Sequence, residues 1–249
     1  MPTLFVSDTH LAAARPAQVD LFRAVLDKAG RAGAALYVLG DLVEFWLGDD
    51  DDDPVQREIV GLLADYRAGG NALHVAFGNR DFLLGERFKA ETGATLLDDW
   101  STVQLGDETA LLTHGDLLCT RDLKYQMFRA FVRNADNQQK FLAAPLEERR
   151  RIASSTREGT QASMMEKDDD IMDVDQAAVE RHLQAHDATV LIHGHTHRPG
   201  LHTFDMDGRG RRRFVLGDWY GTGTVLWVQG SDFSLLSVPE FLATSQARA

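Results

Sequence analysis

The chain has one cysteine, Cys119, and a single thiol excludes an internal disulfide framework and fits a reducing compartment. No catalytic signature surrounds it, so it reads as a small core residue. No run of about 18 apolar residues exists, so no membrane-spanning helix is expected. The N-terminal Met1-Pro-Thr-Leu-Phe-Val-Ser-Asp8 lacks a basic segment, and its apolar run is too short for a signal peptide. The expected location is therefore the cytoplasm. Positive charge is also scarce: 26 Lys and Arg against 38 Asp and Glu leave a formal charge of -12, which argues against a nucleic-acid partner. No internal repeat or low-complexity linker is present. The 249 residues suit one α/β domain carrying an insertion.

What is abundant is a repeated local pattern. Leu4 to Ser7 reads as a buried strand that runs into Asp8-Thr-His10. Pro16 opens a helix with Val19, Phe22, Val25, Leu26 and Ala29 at helical spacing, and a second strand, Leu36 to Leu39, ends in Gly40-Asp41. Strand, helix, strand implies a right-handed crossover and parallel pairing, which puts both acidic ends at one sheet edge. After a helix from Pro54, the strand Leu73 to Phe77 ends in Gly78-Asn-Arg-Asp81. A short helix near Leu84 to Glu91 leads to a hairpin, Thr102 to Leu105 and Thr109 to Thr113, that ends in His114-Gly-Asp116. Asp175 reads as a helix N-cap before the strand Thr189 to Ile192, which delivers His193, His195 and His197. The tail reads as four strands: Leu201 to Met206, Arg211 to Leu216, Gly223 to Gln229 and Phe233 to Val238.

Two charged stretches stand apart. Asp49 to Asp53 is expected to be a solvated loop rather than a cation site, since runs of one sign usually are. Arg211-Arg-Arg213 is expected to guard an edge strand against aggregation. Residues 121–167 read as a helical insertion carrying ten Lys and Arg and six Asp and Glu, a net of +4 on a body of -16. That composition suits an amphiphilic anionic ligand or an anionic membrane surface, or a cap with solvated arginines.

Asp8, His10, Asp41, Asn79, His114, His195 and His197 form a mixed oxygen and nitrogen set suited to Mn²⁺, Fe²⁺ or Zn²⁺. Seven ligands exceed one tetrahedral ion and fit a pair sharing a carboxylate. Asp-x-His, Gly-Asp, Gly-Asn-x-Asp, His-Gly and Gly-His-x-His, in that order, resemble the calcineurin-like metallophosphoesterases. The resemblance implies a four-layer α/β/β/α sandwich of two mixed sheets. It implies Asp8, His10, Asp41 and His197 on one ion, Asp41, Asn79, His114 and His195 on the other, and two-metal activation of a hydroxide. His193 falls outside those ligands and is expected to pack or to support them.

Most members carry His where this chain has Arg80. A guanidinium cannot act as a general acid, but it can stabilise a phosphate leaving group that needs no proton. Arg80 therefore favours pyrophosphate cleavage. Leu39-Gly-Asp-Leu-Val-Glu44, Phe77-Gly-Asn-Arg-Asp-Phe-Leu-Leu84, His114-Gly-Asp-x-Leu-Cys-Thr120, Ile171-Met-Asp-Val174 and Ile192-His-Gly-His-Thr-His-Arg-Pro199 are similar to the branch that cleaves a lipid-linked UDP-diacylglucosamine in lipid A biosynthesis. That likeness implies two Mn²⁺ ions, products UMP and the diacylglucosamine 1-phosphate, Arg80, Asp41 and His114 as catalytic residues, and 121–167 as a lipid-binding cap. It implies substrate contacts from Asn79, Arg80, Asp122, Lys167, His195 and Thr160, the last standing where Ser is usual. Met164 replaces an Asn that donates a hydrogen bond. A peripheral position on the cytoplasmic face of the inner membrane is implied, with no nucleic acid and no obligatory protein partner. The alternatives are a broader phosphodiesterase or nucleotide pyrophosphatase, and a non-catalytic scaffold that should have lost ligands.

Overall fold

The computed structural model describes residues 1–165 and 173–244, and only the backbone of 157–165. β1 (Thr3–Val6), α1 (Pro16–Arg31), β2 (Ala35–Leu39), α2 (Pro54–Ala68), β3 (Leu73–Ala76), α3 (Glu86–Thr92) and β4 (Thr95–Leu97) alternate along the chain. β1 to β4 pair in parallel, with Thr3 opposite Ala35, Leu36 opposite Leu73 and His74 opposite Thr95. β10 (Thr224–Gln229) and β11 (Asp232–Ser237) add antiparallel strands at the other edge, giving the order β11-β10-β1-β2-β3-β4. The three-residue β4 and the six-residue helix α8 (Val238–Ala243) are too short to carry a period and were not expected.

The second sheet runs β5-β6-β7-β9-β8, from β5 (Ser101–Leu105), β6 (Glu108–Leu112), β7 (Val190–His193), β8 (Gly200–Met206) and β9 (Arg209–Val215). Alternation along the strands builds the layers. Leu4, Val6, Leu36 and Val38 face α1, α2, α3 and α8, whereas Phe5, Tyr37 and Leu39 meet Leu112, Ile192 and Phe214 of the other sheet. Leu111 and Leu191 pack under α7 (Gln176–Ala185). Strands buried on both faces read as unbroken apolar runs. The result is the expected sandwich of helices, two mixed sheets and a helix.

β9 lies between β7 and β8, so Arg211 to Arg213 do not guard an edge; β8 is the edge strand. Arg211 and Arg213 are buried, and Arg213 Nη1 donates to His193 Nε2 at 3.2 Å. Arg212, on the opposite face, pairs with Glu108. Long aliphatic stems let these arginines cover the sheet while the heads of Arg212 and Arg213 reach partners.

Between β6 and α7 lie a 3-10 turn (Asp116–Leu118) and the helices α4 (Leu123–Val132), α5 (Ala135–Leu142) and α6 (Leu146–Met165). α4 is seated on buried Asp116, whose Oδ2 accepts from Arg129 Nε at 2.7 Å and from the Tyr125 hydroxyl at 2.9 Å. The aspartate run is a loop that is solvated only in part: Asp50 and Asp52 are 65% and 69% exposed, and Asp51 is buried. Asp49 accepts from Trp46 Nε1 and from the backbone N–H groups of Gly85, Arg87 and Phe88, closing the start of α3. Asp50 and Asp51 pair with Arg149 and Arg150 of α6, Asp52 pairs with Arg87, and Asp53 caps α2 through Val55 and Gln56. Five like charges tolerate proximity because each one meets a different donor.

Candidate metal centre

Five parallel strands release their chemistry at one edge. Asp8 and His10 follow β1, Asp41 follows β2, Asn79 and Arg80 follow β3, His114 follows β6, and His195 and His197 follow β7. The strand ends are laced together: Asp8 N–H donates to Gly40 O at 3.1 Å, and Gly194 N–H to His114 O at 2.9 Å. Glycine is required where carboxylates lie against backbone. A Cβ at Gly78 would sit 2.1 Å from Asp41 Oδ1, and one at Gly194 would sit 2.1 Å from Asp8 Oδ2.

Asp8, His10, Asp41, His195 and His197 all hold positive φ, between 44° and 66°; only Asp187 and Asp207 share this among the other described non-glycine residues. Such conformations cost about 1–3 kcal/mol each and persist where the surroundings impose them, typically at functional sites.

Two sets of donors converge. His10 Nε2 is 3.5 Å from His197 Nε2, 4.0 Å from Asp8 Oδ1 and 3.8 Å from Asp41 Oδ2, and His197 Nε2 is 3.2 Å from Asp8 Oδ1. His114 Nε2 is 4.0 Å from Asp41 Oδ1, while His114 Nε2 and His195 Nδ1 approach Asn79 Oδ1 at 3.2 and 3.1 Å. Ligands about 2.1 Å from one ion are roughly 3.0–3.5 Å apart, so the closer spacings fit shared coordination. Two opposed ring nitrogens and two aimed at one carboxamide oxygen are an arrangement that a cation reconciles. The donor set of nitrogen and oxygen atoms, with Cys119 buried elsewhere, suits a divalent ion. Considering His and carboxylate groups alone, the tight clusters are Asp8, His10, His197 and Asp8, Asp41, His114. Asp8 therefore reaches both sets, as Asp41 does, and its Oδ2 also accepts the His195 N–H at 2.9 Å.

Charge and burial oppose one another here. Burial lifts the Asp41 carboxyl to about 7 and lowers His10 and His195 to about 4. Burial also acts to lower His114, but Asp41, Asp8 and Asp116 outweigh it and raise the ring to about 9. Asp8 is held well below the usual carboxylate range, against the effect of burial, by the His197 hydrogen bond and the surrounding rings. The carboxylates around His114 thus favour its protonated ring.

The chain matches the Calcineurin-like phosphoesterase family over residues 1–199. Proteins named UDP-2,3-diacylglucosamine hydrolase from Aeromonas salmonicida and Pseudomonas aeruginosa are 46% and 43% identical over 91% and 93% of this chain, covering 89% and 96% of their own lengths. The chain belongs to the UDP-2,3-diacylglucosamine hydrolase family of calcineurin-like phosphoesterases. The fold is also that of the phosphoesterase Yfce from E. coli, with a TM-score of 0.50 at 16% identity, covering 96% of this chain and 94% of that one.

The other expected contact residues divide. Arg80 N–H donates to Asp41 Oδ1 at 2.8 Å, and its guanidinium lies 5.5 Å from the Phe45 ring with no ion pair among the described residues. Asp122 is buried at the head of α4, where it accepts the Tyr125 N–H. Lys167 and the side chains of Thr160 and Met164 lie outside the described residues. His193 is fully buried between Arg213 and Gly194 O, behind the ligands. An apolar cavity of about 220 Å³ opens beside the centre, lined by Asn79 and Arg80 and by Phe82, Phe128, Phe131, Phe141 and Ile152.

Three groups around the ligands were not anticipated. Asp218 Oδ2 lies 3.3 Å from His197 Nδ1, Tyr220 stacks on His10 at 4.9 Å, and the Tyr220 hydroxyl donates to Glu44, which pairs with Arg15. Leu216-Gly-Asp218 follows β9 as Leu39-Gly-Asp41 follows β2, and that repetition is the signal that identifies Asp218.

Proposed function

We propose that the protein hydrolyses the pyrophosphate bond of UDP-2,3-diacylglucosamine, giving UMP and 2,3-diacylglucosamine 1-phosphate, with two Mn²⁺ ions. The observation that carries this reading is the continuity of charge and apolar space: Asn79 and Arg80 belong both to the metal centre and to the lining of the aromatic cavity. A substrate with phosphates at one end and acyl chains at the other suits such a surface.

Asp8, His10, Asp41 and His197 would hold one ion, and Asp41, Asn79, His114 and His195 the other. Bound ions supply Lewis acidity and a nucleophile at neutral pH. The chain supplies position. Asp41 presents Oδ2 toward His10 and Oδ1 toward His114. Asp218 lies against His197 Nδ1 and orients Nε2 into the centre, as carboxylates behind ligating imidazoles do. Arg80, permanently charged and free of a carboxylate partner among the described residues, stabilises the departing sugar phosphate. No proton is needed there, so the absence of a histidine at this position costs little. The cavity takes the acyl chains, with 121–167 as their cap.

Among the described residues no helix is long and apolar enough to cross a membrane. Leu123, Met127 and Phe131, one face of α4, are 70%, 74% and 63% exposed. This face suits contact with the inner-membrane surface where the lipid substrate resides. Co-sedimentation with anionic vesicles, weakened by Leu123→Ser and Met127→Ser, checks it; equal binding by both variants refutes it.

The deciding experiment incubates the protein with UDP-2,3-diacylglucosamine in ¹⁸O-water, with Mn²⁺, with Mg²⁺ and with chelator. UMP carrying the label, formed only with metal, is expected. No UMP under any metal refutes the substrate, and label in the sugar phosphate refutes attack on the UMP-side phosphorus.

A further inference from the structure

The two walls of the cavity are anchored differently. α4 is fixed by Asp116, two residues beyond the candidate ligand His114. α6 is tied instead to the loop after β2. Arg149 is 2% exposed; its Nη1 donates to Leu47 O at 2.6 Å and to Asp50 Oδ1 at 2.8 Å, and its Nη2 donates to Asp50 Oδ2. Gly48 makes room for this grip. Its φ is +134°, and a Cβ there would lie 2.5 Å from Arg149 Nη1 and 2.8 Å from Leu142 Cδ2. One residue further along α6, Arg150 reaches buried Asp51 at 2.7 Å.

The anchor joins opposite sides of one space. Leu47, whose carbonyl accepts from Arg149, lines the cavity, and so do Ile152, Ala153 and Thr156, which stand three, four and seven positions beyond Arg149 on α6. A planar guanidinium held by two parallel bonds fixes orientation as well as distance. We propose that Arg149, seated on Asp50 and Gly48, is a positioning residue that sets the width of this cavity and thereby the preference for long acyl chains. This rests on the reading that acyl chains occupy the cavity. Arg149 itself touches neither the metal ligands nor the cavity. It acts through the placement of Leu47 and Ile152.

The test compares wild type with Arg149→Ala, Arg149→Lys, Asp50→Asn and Gly48→Ala, using UDP-diacylglucosamines of long and short acyl chains and bis(p-nitrophenyl) phosphate as a soluble diester. Loss of one bidentate charged contact is expected to raise KM for the long-chain substrate about tenfold. The kcat and the soluble-diester rate should stay within about twofold, and the long-chain preference should shrink. Arg149→Lys, which keeps the charge without the fork, should fall between wild type and Arg149→Ala. Amide hydrogen exchange over 146–156 should quicken in the same order. Unchanged chain-length preference in variants whose α6 amides exchange faster overturns the proposal, as does unchanged exchange in every variant. If Arg149→Ala does not fold, the Lys and Asn variants carry the same comparison. A wild type that cleaves the diester but no acylated substrate refutes the substrate reading instead.

Discussion

Replacing Asp41 by asparagine keeps the shape of the side chain and removes its charge. The fit is tight enough to need that care: Gly78 backs directly onto Oδ1, and Oδ1 accepts the Arg80 N–H at 2.8 Å, a bond that the amide oxygen of asparagine can preserve. The carboxylate lies 3.8 Å from His10 Nε2 and 4.0 Å from His114 Nε2, between the two donor sets. A unit charge about 4 Å from another, at the effective screening of a protein site, is worth about 4 kcal/mol. At 1.36 kcal/mol per tenfold, that corresponds to about three decades of rate or metal affinity. The assay strips the protein with chelator, restores Mn²⁺, and measures diester hydrolysis and bound metal. A loss of about 10³ in rate with fewer ions per chain is expected. Full Mn²⁺-dependent activity in Asp41→Asn would refute the shared-carboxylate mechanism.

Stability without metal supplies the control. Burial raises the folded Asp41 pKa from 3.8 to about 7, so its contribution to stability is fully present below about 4 and is lost as pH rises through about 7. At pH 8 metal-free wild type therefore carries a buried charge that asparagine lacks. The metal-free variant should melt no lower than wild type at that pH, which separates lost chemistry from misfolding. A clearly lower melting temperature would mean that asparagine disturbs the turn itself.

Arg80→Ala should lower kcat on the pyrophosphate substrate by about 10²-fold, the usual cost of removing one transition-state donor, while metal content by elemental analysis stays at the wild-type value. Loss of metal instead would make Arg80 part of the metal-holding framework. Asp218→Asn should weaken Mn²⁺ affinity about 10–100-fold in a direct binding titration, because it removes the charged partner of His197 Nδ1. Unchanged affinity would reduce Asp218 to a bystander.

The strands and the polar side chains that gather at one edge were legible because one short signal holds both. A buried apolar run that ends in a polar residue, with glycine just before it after β2, β3 and β7 and just behind it after β6, states where the strand stops and which side chain the turn presents; β1 ends the same way through Ser7-Asp8 without a glycine. Asp218, after Leu216-Gly217 at the end of β9, obeys it too, on a strand whose Arg211 to Arg213 were expected to mark an edge. That error has a physical source: β8 precedes β9 in the chain but turns back outside it, and nothing local distinguishes the two orders. The aspartate run was legible only as a loop. Asp50 and Arg149 are 99 positions apart, so the donors that make a crowd of carboxylates tolerable are invisible from the run itself. The pocket was readable only as composition, since Phe45 and Phe82 on the body and Phe128 and Phe141 on the insertion meet only after folding.

Neither sheet holds a complete donor set. Asp8, His10, Asp41 and Asn79 come from the first sheet, while His114, His195 and His197 come from the second. Each proposed ion therefore draws ligands from both. Five of the seven proposed ligands sit at positive φ, and buried carboxylates gather around His114 and raise its ring to about 9, so the edge is strained in backbone and crowded in charge at once. A divalent ion held there would relieve the charge without relaxing the backbone, because the same turns that impose the positive φ aim the donors inward. Binding energy at the centre would then act across the sheet-to-sheet interface, where Tyr37, Leu39, Leu112 and Ile192 already pack. The sandwich and the proposed metal centre would support each other. On the proposed reading, the metal donors stand at strand ends that the hydrophobic core holds rigid, while the helices proposed to receive acyl chains are fastened on by arginines.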